Sequence, residues 1–440
     1  MALRKRPLRR RSVYAVVVAL SLCGLMVLLQ ILYVDEDQAD DAALERFLAV
    51  TRTPADNRTL SQLLKDSVHD RWQPVRHTTD KFYVFSAFLD QRRTQAIVRV
   101  IGAARTRLTD RVSCSFYVRG TLSAAVRASN KLIRENWNLR YSAFFLLCPV
   151  PAGPWPDTVA VVRINDRNLP GNMLQVHKLQ PSTPKEDIAV CVKPIHYDYD
   201  KLLQLAEFVE LNRVLGVSHF ILYNHTAGPH VSCLLQRYQS QGIVTLLPWQ
   251  LPMVSQREIR TEGLFAALND CLYRGMSRFR WLAMIDLDEF IVPAGNISLP
   301  VLLRRLGESA GAFSFRNGFF YLQWGDDPVA DVPLLTMRKT RRKAQLHAHR
   351  QRSKCVVSPE RVVEMGNHFV WEFLTADKVT VNVAAELAFL HHYRVCEFGG
   401  DDCINTTSVV DRSLYFWKDK LAPAVEHSVK SCTHQDSFHL

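Results

Sequence analysis

The 440-residue chain has no glycine-rich phosphate cradle: neither GxGxxG nor GxxxxGKS/T occurs anywhere in it. Without such a loop of backbone N–H groups around a triphosphate, a kinase is excluded. The ten cysteines include no CxxC pair, so paired metal spacing is missing as well. Glycine and proline are scarce, at 18 and 20 residues, while 48% of the chain is hydrophobic and 22% charged. That balance excludes a collagen-like fibre, a disordered chain and a small disulfide-only scaffold. What remains is a length suited to two or three domains with real apolar cores.

Acid is missing from two particular stretches. The first twelve residues hold six basic side chains (Arg4, Lys5, Arg6, Arg9, Arg10 and Arg11) and no carboxylate. Residues 338–354, RKTRRKAQLHAHRQRSK, hold eight more and again no carboxylate. The formal net charge is +12, and with both runs set aside the remainder carries −2. The surface is therefore not basic throughout, and nucleic acid is not an expected partner.

Charge is also missing from Val13 to Val34, VYAVVVALSLCGLMVLLQILYV, over 22 positions. At about 1.5 Å per residue this run is long enough to cross a bilayer core of roughly 30 Å. A cleaved signal peptide would carry a shorter apolar region and a small-x-small site, and none precedes Asp35-Glu36-Asp37. The sequence predicts a cytoplasmic tail (1–12), a transmembrane signal anchor (13–34) and a translocated C-terminal part, oriented by the positive-inside rule. Sequons at Asn57, Asn224, Asn296 and Asn405 agree with that topology. With Cys23 in the span, nine lumenal cysteines remain. An oxidising lumen pairs most of them and leaves at least one over, with Cys396–Cys403 the expected local bridge.

Residues 35–78 read as a polar stem. From 79 to 168, short β-rich runs (FYVFSAFL, AIVRVIG, CSFYVRG, YSAFFLLCPV, TVAVVRIN) separated by turns predict an all-β accessory domain of sandwich type. Residues 169–186, with three prolines, read as a linker. After it, strand and helix alternate: IAVCVKP, a helix over 199–215, HFILYNH, a helix through SCLLQRYQSQ, IVTLLPW, a helix over 257–274, and RWLAMI. Such alternation predicts parallel strands under right-handed crossovers, hence an α/β sheet, with ligands at the strand ends.

The last of these strands runs straight into Asp286-Leu287-Asp288-Glu289-Phe290. Three carboxylates at the end of an apolar strand are costly unless something positive meets them. Aspartates two apart can reach one hard divalent cation, which keeps open positions for phosphate oxygens. A solvated acidic turn is the plain alternative.

With these landmarks the sequence resembles glycosyltransferase family 92 over about residues 186–410. The resemblance rests on EFVELNRVLGVSHFILYNH, NDCLYR at Asn269–Arg274, WLAMIDLDEFIVP, KCVVSPERVVEMGNHF and HHYR at His391–Arg394. It implies an α/β, GT-A-type nucleotide-sugar-binding catalytic domain over 187–440, behind the smaller all-β domain and the single transmembrane helix. It also implies an inverting galactosyltransferase of the Golgi membrane, using UDP-galactose and Mn²⁺ or another divalent cation. The acceptor would be a glycoprotein N-glycan, extended by β1,4-linked galactose on terminal galactose; relatives of another branch act on core fucose.

On that resemblance Asp288 is the direct metal ligand, and Asp286 binds the metal through water or holds the ribose. A histidine completes the set, His392 first and His368 second. At the end of AFSFRNGFFYLQW, which reads as one strand, Trp324-Gly325-Asp326-Asp327 resembles the segment that supplies the catalytic base, so Asp326 and Asp327 are candidates, with Glu289 and Glu372 as alternatives. Asn269 and Asp270 are expected near the donor sugar or ribose, and Pro194 and His196 where uracil lies. Each histidine could equally serve packing or the surface, and Asp326-Asp327-Pro328 could be an ordinary turn. A homodimer is compatible with these features. The rival class is a lectin-like lumenal membrane protein that holds calcium at the acidic cluster without turnover. The basic run 338–354 is read as a loop near the donor diphosphate, a grip for acidic glycans, or a solvated loop.

Overall fold

The computed structural model describes residues 59–67, 70–107, 110–166, 168–179, 185–397 and 403–433. The predicted tail, the membrane span at 13–34 and the stem up to residue 58 lie outside the described residues. Among the described residues no helix is long and apolar enough to cross a membrane.

The β-rich segment forms a single nine-stranded sheet. Its strands run in the order Thr121–Arg127, Val112–Val118, Thr158–Arg163, Leu174–Lys178, Phe82–Asp90, Ile97–Arg105, Tyr141–Pro149 and Ser129–Leu132, with Gln73–Pro74 alongside Phe82–Asp90. The sheet curls so that its two halves share one core, which includes Val84, Val98, Val100, Phe116, Leu146 and Val161. The Cys114–Cys148 disulfide ties the halves together. The expected sandwich is thus one sheet folded over itself. The segment 169–186 supplies one of its strands, Leu174–Lys178, parallel to Phe82–Asp90.

The C-terminal part begins with the predicted alternation. β1 (Glu186–Cys191), α1 (Leu202–Val214), β2 (His219–Asn224), α2 (Pro229–Ser240), β3 (Val244–Pro248), α3 (Leu264–Gly275) and β4 (Phe279–Met284) follow in turn. The strands pair in parallel in the order β3–β2–β1–β4. Their continuous apolar runs suit strands covered on both faces. Next come β5 (Glu289–Pro293), α4 (Leu299–Leu306), β6 (Ala312–Phe315), β7 (Asn317–Tyr321), β8 (Lys354–Val357), β9 (Thr380–Asn382), β10 (Ala388–Arg394) and α5 (Lys418–Thr433). β8, antiparallel to β4, extends the main sheet to β6 and β9, while β5, β10 and β7 form a smaller sheet.

Two expectations change. The helix predicted over 257–274 starts only at Leu264, because Gln256, Thr261, Glu262 and Gly263 all take positive φ. The run AFSFRNGFFYLQW, expected as one strand, breaks at Arg316 into β6 and β7, which join different sheets. The Arg316 guanidinium holds the break by donating to the carbonyls of Leu346 and His347.

The outer face of the curled sheet packs on α3. Phe85, Phe88, Ile101 and Phe145 share a core with Leu268, Leu272 and Tyr273, so the sheet and the α/β part are joined by apolar burial. Disulfides Cys191–Cys271 and Cys233–Cys432 staple β1 to α3 and α2 to α5. Cys396 and Cys403 pair as expected, and Cys355 is left free and buried.

Candidate functional site

β4 ends inside the sheet, and the chain turns at once through Asp286, Leu287 and Asp288 into β5. The turn closes on itself: the Glu289 N–H donates to the Asp286 carbonyl (3.1 Å), and the Asp286 N–H donates to Glu289 Oε2 (2.9 Å). β5 then pairs antiparallel with β10 in a register that sets Glu289 opposite His392. The pairing brings His392 Nε2 to 3.3 Å from Asp288 Oδ2, and His392 Nδ1 to 3.3 Å from Glu289 Oε1. Asn317, at the start of β7, also lies against Nδ1 at 3.1 Å. A carboxylate behind one ring nitrogen leaves the other aimed into the cleft, an arrangement that orients ligating histidines.

The acidic cluster is met by two lysines. Lys193, just beyond β1, and Lys354, at the start of β8, each place Nζ 3.2 Å from Asp286 Oδ2. Lys354 is 2% exposed, lies 3.5 Å from Glu289 Oε2 and donates to Asn367 Oδ1. Burial alone would push the Asp286 carboxyl up, but Lys193, Lys354 and His392 together hold it well below the usual carboxylate range. Asp288 is also held down: burial pushes its carboxyl up, but the bond to His392 and the charges of His392 and Lys193 together outweigh it. Glu289 goes the other way: burial and the neighbouring Asp286 charge raise its carboxyl despite Lys354.

These groups line one cleft of about 880 Å³. Asp286, Asp288, Glu289, His368 and His392 share it with Lys193, Lys201 and Arg352. A second cleft of about 490 Å³ adjoins it through Lys193, Lys201 and Asp288, and its wall is Pro194, Ile195, His196, Tyr197 and Asp198. Pro194 and His196 thus lie beside the acidic turn. His368 reaches the main cleft with both ring nitrogens engaged, on the Ser353 carbonyl and the Asn367 amide, each at 3.1 Å. Its burial, with the Lys354 charge, pulls it down to about 4. His392 is therefore the histidine that faces Asp288.

Other candidates are placed elsewhere. Asp270 is fully buried, accepting from Ser86 Oγ, Tyr223 Oη and the Arg274 guanidinium. Asn269 ties α3 to Met365 through both its amide atoms. Both residues join α3 to its neighbours, and neither lines the cleft. Asp327 is locked by Arg412 at 2.7 and 2.9 Å and by the Thr340 hydroxyl. Asp326 is paired with Arg338 and Lys339. These partners lower both carboxyls, a poor state for accepting a proton. Glu372 pairs with Lys131, Arg134 and Arg93, between the curled sheet and the α/β part. Glu289 is in the cleft wall but only 1% exposed, so it positions His392.

The residues that sequence reasoning missed are Lys193, Lys354 and Asn317. Lys354 carried a signal: a lysine opening the apolar strand KCVV mirrors the acids closing β4. Among the described residues no group of three or more His, Cys, Asp or Glu side chains stands in metal-holding geometry. Asp288 with His392 is the pair that could hold an ion.

The basic run also divides. Arg338 and Arg352 reach the cleft and Lys354 lies buried against Asp286, whereas Arg341–Lys343 forms a short strand against Ser408–Val410. Replacing Arg341 and Lys343 with glutamine is expected to leave substrate KM values unchanged. Arg352→Gln is expected to raise the KM of an anionic substrate about twofold to fivefold, the scale of one exposed charge contact. Steady-state kinetics on both variants checks the difference.

Glycosyltransferase family 92 matches residues 186–433, more than half of the chain. The beta-1,4-galactosyltransferase galt-1 of Caenorhabditis elegans is 24% identical over 372 residues, covering 81% of each chain. Among solved structures, UDP-glucose pyrophosphorylase of Acinetobacter baumanii aligns with 57% of this chain and 94% of its own, at 11% identity and a TM-score of 0.25. Glucosyl-3-phosphoglycerate synthase of Mycobacterium tuberculosis aligns with 57% and 82%, at 15% identity and a TM-score of 0.23. Both structural likenesses are weak. The chain belongs to glycosyltransferase family 92, and it is a glycosyltransferase.

Proposed function

We propose that the protein is an inverting, divalent-cation-dependent galactosyltransferase. It moves galactose from UDP-galactose to a galactose-terminated N-glycan in a β1,4 linkage, from a single-anchored position in the Golgi membrane with its site in the lumen. The observation that carries the reading is the convergence of Asp288 and His392, 3.3 Å apart, in the cleft that adjoins the Pro194–Asp198 wall. The galactosyltransferase relative supports the sugar.

The donor set fits a hard cation such as Mn²⁺. Asp288 Oδ2 and His392 Nε2, 3.3 Å apart, are one carboxylate oxygen and one imidazole nitrogen that would hold such an ion between them. When bound, such an ion neutralises the charge that develops on the departing diphosphate.

The chain's own residues do the rest. Lys193, Lys201 and Arg352 line the cleft with positive charge for the two phosphates. Glu289 and Asn317 fix the His392 ring. Lys354 holds Asp286 so that the turn keeps its shape. The wall with His196 and Tyr197, whose rings are 4.5 Å apart, suits a flat pyrimidine base.

His392→Ala is expected to raise the Mn²⁺ concentration needed for half-maximal transfer by about tenfold or more, the scale of losing an orienting or ligating contact. His368→Ala should shift it less. Titration of activity with Mn²⁺ ranks the two, and the reverse order would exchange their roles. Incubating the full chain with a panel of nucleotide sugars and N-glycans, followed by linkage analysis of the product, tests donor, acceptor and bond. Galactose on the core fucose, or another sugar in the product, would replace those parts of the proposal.

A further inference from the structure

The rim of the main cleft carries Trp137, which belongs to the curled sheet and is not part of the α/β half. It sits in the turn between strands Ser129–Leu132 and Tyr141–Pro149 and is 63% exposed, although it is among the largest apolar side chains in the protein. Its φ is +58°, and that of Asn138 is +54°. Bulky residues rarely take this conformation, and non-glycine positions held there cluster at ligand clamps.

The turn is tied to the catalytic half. The Glu135 carboxylate accepts from the Asn367 N–H (2.7 Å) and from the Trp371 indole (3.1 Å). Asn367 in turn accepts from Lys354, which pairs with Asp286. A chain of polar contacts therefore fixes Trp137 relative to the acidic turn. A second strained segment meets it from the other side. Arg260 lies 4.3 Å over one face of the indole and is itself anchored on Gln256. Gln256, Thr261 and Glu262 around it all have positive φ.

We infer that Trp137, backed by Arg260, is the stacking platform for a sugar ring of the acceptor, and that the curled sheet thereby supplies acceptor recognition. A flat, rigid apolar face matches the C–H face of a pyranose such as galactose, and a tryptophan held by its backbone pays little entropy to be covered. The donor base has a wall of its own at Pro194–Asp198, with its own exposed aromatic, Tyr197. The inference rests on the transferase reading, and it deepens that reading by assigning the acceptor side.

The test uses the full chain in detergent with UDP and Mn²⁺, and a galactose-terminated biantennary N-glycan as probe. Binding is read by saturation-transfer NMR, and turnover is measured with UDP-galactose. Trp137→Ala should raise the acceptor KM by about tenfold or more and weaken glycan binding in parallel, the scale of about 1.4 kcal/mol. The donor KM and the acceptor-free hydrolysis of UDP-galactose should stay within about twofold, and Trp137→Phe should recover most of the loss. An unchanged acceptor KM, or a donor KM that rises in step, overturns the assignment. So does a wild-type chain that binds no glycan. If the wild type binds glycan without turnover and Trp137→Ala abolishes binding, the platform stands and the transferase reading fails.

Discussion

Asp288→Ala is expected to lower the rate of sugar transfer by at least about 10²–10³-fold while moving the melting temperature by no more than a few degrees. The rate loss follows from where the charge lies. Asp288 Oδ2 is the carboxylate oxygen that faces His392 Nε2 in the cleft, and the side chain is 33% exposed. It is the acid in the turn that solvent and substrate can reach, since Asp286 is held by two lysines and Glu289 is buried. Removing charge stabilisation aimed at a leaving group costs on that scale. The small effect on stability follows from the contacts. The structural bond at this position is made by the Asp288 backbone carbonyl, which accepts the Tyr393 N–H, and alanine keeps it. Initial rates and a thermal melt on the same preparation check both halves. Wild-type activity in the variant would remove Asp288 from the mechanism.

Lys354→Met is expected to be the most destabilising single change at the site, by about 3–5 kcal/mol. Lys354 is almost completely buried and answers two buried carboxylates, Asp286 and Glu289. Burial works against its charge, but those two carboxylates raise its affinity for the proton, so it is charged in the folded state. Methionine fills the space and takes away the compensation. At about 2.1 cal/mol/K per residue, a chain of this length has an unfolding entropy of roughly 0.9 kcal/mol/K, so the melting temperature should fall by about 3–5 °C. Combining Lys354→Met with Asp286→Asn removes one of the stranded charges, so the double variant should melt above the single one. The comparison isolates electrostatics from packing. Equal melting of wild type and Lys354→Met would mean that no such buried charge balance exists.

The parts of the fold legible in sequence are those with strong local patterns. Four buried parallel strands are continuous apolar runs, and helices α1 and α2 end at Gly216 and Gly242, both at positive φ. The start of α3 is hidden because Arg257–Arg260 has helical residue types, while Gln256 before it and Thr261–Gly263 after it take positive φ, with the Glu262 carbonyl accepting from the Trp249 indole. Arg316 hides a strand break because its partners, Leu346 and His347, lie 30 and 31 residues away.

At the site, the acidic turn announced itself because carboxylates rarely end an apolar strand. What meets it did not, since Lys193, Lys354 and Asn317 come from three separate elements and only the topology brings them together. Asp326 and Asp327 had the right motif but the wrong neighbours, because Arg338, Lys339 and Arg412 neutralise them. Trp137 lies in a segment whose sequence holds no cluster of chemical groups, and its position at the cleft depends on the curled sheet folding onto α3.

Transfer from UDP-galactose by the full chain, followed with and without Mn²⁺ and after chelation by EDTA, tests the central claim most directly. Transfer is expected to vanish with EDTA, to return on adding Mn²⁺ and to stay at least about 10²–10³-fold down in Asp288→Ala at every Mn²⁺ concentration. Transfer that persists at full rate in EDTA would contradict it, as would Asp288→Ala responding to Mn²⁺ like the wild type.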